Sequence, residues 1–105
     1  MGGSVVMVRI YLTEGQHQFE RLLAWLHDEA KVCGVTAFRG IAGFGRSGKI
    51  HSAHLIDTSL DLPLVIEFFE VSEKFEALWP ELNQRVPEGH MVYWEAHVNA
   101  DTGLC

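Results

Sequence analysis

The chain is poor in cysteine, poor in proline and, after residue 85, devoid of lysine and arginine. Its two cysteines, Cys33 and Cys105, form no CxxC pair and are too few for a disulfide framework, which excludes a small disulfide-stapled scaffold. They read as one buried thiol and one terminal thiol. No apolar run approaches the roughly 20 residues that a membrane-spanning helix needs, so direct membrane insertion is not expected. No stretch resembles a secretory h-region, and the expected compartment is the cytoplasm. At 48% hydrophobic residues the sequence is too apolar for disorder. A length of 105 residues fits one core, so residues 1–105 are read as a single domain. Residues 1–6 read as a flexible extension and residues 99–105 as a loose tail.

The formal net charge is −6. Binding to nucleic acid needs a basic face that displaces counterions, and this composition argues against one. Acid is also missing locally. From Lys31 to Ile56 there is no Asp or Glu, while the segment carries Lys31, Arg39, Arg46 and Lys49. One acid-free, cation-bearing stretch in an acidic protein offers a local anion site. No Ser, Cys or Thr sits in a recognisable nucleophile context, so no catalytic residue is assigned and no enzymatic activity is expected.

Residues 5–13 (VVMVRIYLT) are β-branched and apolar and predict a strand. In residues 17–33 the positions Phe19, Leu22, Leu23, Leu26 and Ala30 follow helical spacing, with Gly34 as the stop. Residues 35–42 predict a second strand weakened by Gly40, and glycine-rich residues 43–49 read as irregular. Strand character returns around residues 50–56, Asp57 to Asp61 mark a turn, and residues 62–71 form the clearest strand. Ser72 is a candidate N-cap. A helix follows with Phe75, Leu78, Trp79 and Leu82 on one side and Pro80 inside it, where a kink is expected. Residues 91–98 (MVYWEAHV) predict the last strand.

The order βαββαβ gives an α+β, ferredoxin-like fold: a four-stranded antiparallel sheet with two helices on one face. The strands, however, are apolar on both sides. Val6, Val8, Ile10 and Leu12 share one face of the first strand, and Val5, Met7 and Tyr11 share the other, interrupted only by Arg9. Leu64, Ile66 and Phe68 likewise oppose Val65 and Phe69. Two helices cover one face, so the other is expected to pack against further copies of the chain.

Gly43-Phe44-Gly45-Arg46-Ser47-Gly48 spells G-x-G-x-x-G. A dinucleotide fingerprint requires a helix directly after it, and the following KIHSAHLI has no helical stripe. The physical content of the loop survives without that fold. Glycines let backbone N–H groups form a concave nest for an anion. Arg39 and Arg46 supply paired donors for a phosphate, and Lys49 adds a point charge. The alternative is a hairpin loop with solvated cations. His51 and His54 form an HxxH pair; on a strand that odd offset sends them to opposite faces, where they cannot share a metal. No metal ligand set is assigned. Glu67, if it points inward, needs a partner such as Arg9 or Arg39.

The blocks VTAFRGIAGFG (35–45), Ile50-His51 and DLPLVIEFFE (61–70) resemble those of the PII-like family known as domain of unknown function 190. VRIYLTEG (8–15) and LWPEL (78–82) extend the similarity. The resemblance implies a ferredoxin-like protomer in a homotrimer, like the PII signal-transduction proteins. In those proteins a T-loop lies between the second and third strands, and adenine nucleotides bind in clefts between subunits near its base. A G-F-G-R run at that base is reproduced by Gly43 to Arg46, which implies a ligand-binding role for Gly43, Gly45 and Arg46. Arg39, Gly40 and His51 follow from the narrower family's pattern, and Lys49 from charge. The implied function is regulatory: a small-molecule anion, for example an adenine nucleotide, bound at subunit clefts, with the 43–60 loop acting on a partner such as a membrane transporter. The loop is shorter than a PII T-loop and has no Tyr in residues 43–62. Two other readings are a metal-handling trimer like the CutA proteins and a small cofactor-free enzyme on a ferredoxin-like oligomer.

Overall fold

A computed structural model describes residues 2–13, 17–45, 50–52 and 62–100 of the protein. Strand β1 runs over Gly3–Thr13, α1 over Gln18–Asp28, β2 over Thr36–Arg39, β3 over Ala42–Gly43 and β4 over His51–Ser52. Then come β5 at Pro63–Glu70, α2 at Ser72–Arg85 and β6 at Met91–Val98. Four strands form one antiparallel sheet in the order β2-β5-β1-β6, and β3 pairs with β4 in a small separate hairpin. This is the expected ferredoxin-like α+β fold.

The strand alternation sets the core. Val8, Ile10 and Leu12 of β1 pair with Phe68, Ile66 and Leu64 of β5, and these side chains are buried together with Leu22, Trp25, Leu26, Phe75 and Leu82 of the two helices. Both helices therefore cover the same face. The opposite face presents Met7, Arg9 and Tyr11, then Val65, Glu67 and Phe69, then Val92 and Trp94, none of them buried, whereas Val5, expected to be open with them, is buried. Phe38 of β2 lies opposite Val65 and is exposed as well.

Several boundaries differ from the sequence expectation. Residues 3–6 are not an extension: they pair with residues 95–98 of β6, and the Gly3 amide donates to the Ala100 carbonyl at 2.8 Å. Helix α1 ends at Asp28 rather than near Gly34 because Lys31 takes a left-handed conformation (φ 53°) and turns the chain early. Ser72 is the first residue of α2, and Val71 is its cap. The helix continues through Pro80 to Arg85. Cys33 is exposed and is not a free thiol, contrary to the buried thiol expected. Among the described residues no helix is long and apolar enough to cross a membrane.

One buried polar group holds the α1–β2 connection in place. Glu70, at the end of β5, is 2% exposed, and its Oε1 accepts the Cys33 amide at 3.0 Å. Lys74, one turn into α2, sits 3.6 Å from the same oxygen and donates to the Lys31 carbonyl at 2.6 Å. Phe75, Trp79 and Tyr93 form a tilted aromatic group that packs α2 on β6, with ring centroids 4.9–5.8 Å apart.

Candidate functional site

The acid-free segment emerges between β2 and β5. After Arg39 the chain leaves the main sheet, forms β3, and returns as β4, with Gly43 opposite His51 and Ala42 opposite Ser52. Continuing that register sets Phe44 across from Ile50. The predicted irregular stretch 43–49 thus begins inside a short ladder. Arg46, Lys49 and His54 lie outside the described residues. His51 is placed on β4 by its backbone.

The glycines at the base have a packing reason. The Gly40 amide donates to the Pro63 carbonyl at 2.7 Å, and a Cβ on Gly40 would stand 2.7 Å from Pro63 Cγ. A Cβ on Gly43 would stand 3.2 Å from the same atom, whereas one on Gly45 would meet nothing within 4 Å. Gly40 and Gly43 therefore let the segment cross tightly over the start of β5, and Gly45 lies in open space. The two glycines of R-G-x-x-G and the proline of D-L-P are two sides of one contact. Gly40→Ala forces the new methyl into the rigid Pro63 ring and is expected to cost about 1–3 kcal/mol, read as a lowered midpoint in thermal unfolding; Gly45→Ala is expected to leave that midpoint unchanged.

Arg39 is exposed at the end of β2, opposite Leu64. It lines a cavity of about 250 Å³ together with Phe19, Glu20, Ala37, Phe38 and Leu64. A larger apolar groove of about 520 Å³ lies between α1 and residues 32–35, away from the hairpin. The structure thus brings Arg39, Gly40, Gly43, Gly45 and the backbone of His51 to one edge of the fold. Sequence reasoning missed the apolar rim of this site. Ile41 is 77% and Phe44 74% exposed, and Ile50 is exposed beside them. Large apolar side chains held in water around a cationic loop favour contact with another surface. The signal was present in the letters but was read only for its glycines and charges.

The open sheet face holds one ion pair. Arg9 Nε donates to Glu67 Oε2 at 2.9 Å, and Arg9 Nη2 donates to the same oxygen. The Arg9 guanidinium lies 5.5 Å from the Trp94 ring centroid. Hydrogen bonding to Glu67, and secondarily to the Tyr11 hydroxyl, holds the Arg9 pKa above its already high ordinary value. Glu67 thus has Arg9 as partner, one of the two foreseen, but on the open face rather than inside. Among the described residues no three His, Cys, Asp or Glu side chains converge on a metal position. The His90 ring Nδ1 is 2.9 Å from the Tyr11 carbonyl, where it serves as a structural donor.

The fold is similar to that of CPII, a nitrogen regulatory PII-like protein from Thiomonas intermedia K12, in a structure bound to ADP, AMP and bicarbonate. That similarity has a TM-score of 0.64 and 21% identity over 94% of this chain and 92% of that one. It is also similar to CutA1 from Oryza sativa, with a TM-score of 0.59 and 12% identity over 96% and 85% of the two chains. The chain belongs to the DUF190 family (Uncharacterized ACR, COG1993), whose pattern matches residues 5–98. A UPF0166 protein of Aquifex aeolicus (strain VF5) is 36% identical over 69 residues, covering 66% of this chain and 70% of that protein. A second UPF0166 match in Aquifex aeolicus is 29% identical over 80 residues, covering 72% and 76%.

Proposed function

We propose that this protein is a PII-like regulator. It assembles as a homotrimer through its open sheet faces, binds an adenine nucleotide or a similar small anion at clefts between subunits, and acts on a partner protein through the 43–60 loop. The observation that carries the reading is the hairpin base. Arg39, Gly40, Gly43 and Gly45 gather at one edge of a sheet whose apolar face is uncovered, so a second copy packed there would wall in the loop base. The likeness to CPII, a protein crystallised with ADP and AMP, supports nucleotide as the ligand class.

Chemistry at such a site is recognition rather than reaction. Glycine amides and arginine forks neutralise phosphate oxygens. The bound phosphate orders the loop, and the ordered loop presents a different surface, including Phe44 and Ile41, to its partner. Proton, phosphoryl or electron transfer has no assigned residue. Titration calorimetry with ATP, ADP, AMP and cyclic nucleotides tests the reading. Binding of at least one of them, weakened about tenfold or more in Arg39→Ala through loss of a charge-assisted contact, is the expected result. No heat from any of them at millimolar concentration refutes the nucleotide reading.

A further inference from the structure

We infer that the Arg9–Glu67 pair is shared between copies of this chain and sets the register in which their open sheet faces meet; this rests on the reading above that those faces are the self-association surface. The pair lies mid-sheet. Thr36, Glu67, Arg9 and Val92 form one row across β2, β5, β1 and β6. Among the described residues of the four strands, Arg9 and Glu67 are the only charged side chains on that face. Their surroundings are mostly apolar, Met7, Val65, Phe69 and Trp94, with Tyr11 and Thr36 as the polar neighbours.

Within one chain the pair is incompletely satisfied. Arg9 Nε and Nη2 both donate to Glu67 Oε2, and the Tyr11 hydroxyl is a second partner of the guanidinium. A guanidinium has five N–H donors and a carboxylate two oxygens. Among the described residues no further hydrogen bond reaches Glu67 Oε1. The Arg9 guanidinium also lies over the Trp94 ring, 5.5 Å from its centroid. Water satisfies these spare groups while the face is open. Purely apolar cover would strand them, and buried polar groups without partners are strongly disfavoured. A second copy solves this, because its face brings one carboxylate and one guanidinium of the same geometry. With one charge of each sign per face, the copies meet without net charge. A face shifted out of register would set like charges together or leave them unpaired, and that excludes alternative packings.

The test uses the full chain carrying Arg9→Glu or Glu67→Arg, alone, mixed one to one, and combined in one chain. Mass is followed by light scattering across a concentration series. Each single variant is expected to self-associate about 100-fold more weakly than the native chain, since it sets two like charges in the contact. Mixing the two is expected to restore assemblies containing both variants, and the combined swap to restore assembly alone. An unfolded chain cannot be rescued by mixing, so restoration separates charge pairing from misfolding. Native-like association of either single variant overturns the inference. So does a mixture that stays monomeric while the combined swap assembles, because the pair would then act only within one chain. Val65→Asp tests the underlying reading separately: if this variant keeps the native mass, the open face is not the contact surface at all.

Discussion

Glu70→Leu is expected to destabilise the protein by about 2–3 kcal/mol, the scale for stranding buried polar groups. The carboxylate is almost fully enclosed and accepts the Cys33 amide, which leucine cannot do. Lys74 also loses its nearby charge and keeps only the Lys31 carbonyl. The α1–β2 connection is then released from the sheet, and with it the entry to β2 that leads to Arg39. Glu70→Gln retains an acceptor of the same shape and is expected to cost under about 1 kcal/mol, because Lys74 is partly solvated and its pairing is weak. Thermal unfolding at fixed protein concentration reads the difference: a drop of about 10 °C for leucine against a few degrees for glutamine. Equal drops would mean that the hydrogen bond to Cys33 contributes little.

Ile66→Ala is expected to have a larger effect, about 3–4 kcal/mol. Ile66 is fully buried in the central part of β5, opposite Ile10 of β1 and Ala37 of β2. Truncation removes three carbons from the middle of the core. Strands on both sides limit how far the site can collapse, so most of the cavity remains. Against a total stability of 5–15 kcal/mol typical of small domains, this brings the protein close to unfolding at 37 °C. Val65→Ala, one residue away on the open face, is expected to cost far less in the isolated protomer. Denaturant titration of both variants checks the contrast, and similar losses would contradict the assigned facing of β5.

These contrasts indicate what the sequence made legible. The facing of β1 and β5 was readable because strand side chains alternate with period two, and both faces of these strands carried a recognisable set. The expectation that the open face meets further copies followed from the same letters. The end of α1 was less readable, since the left-handed turn falls on Lys31 rather than on Gly34. A lysine in that conformation has no local signature, and its place is fixed by Lys74 from another element. The β3–β4 hairpin was hidden because two-residue strands carry too few side chains to show a period. At the candidate site, Gly40 and Gly43 were identified through the family likeness and, for Gly43, the glycine-rich loop, whereas their packing reason needed the position of Pro63. Glu70 falls within the strand predicted over residues 62–71. Its inward direction follows from the alternation, but its partners come from residues 33 and 74.

The proposed nucleotide clefts between subunits require the subunits to meet through the open sheet face. The native chain at micromolar concentration, passed through size exclusion with in-line light scattering, measures this directly. A mass of three times the 11.8 kDa protomer is the predicted result. A single peak at the protomer mass across the concentration range would contradict it.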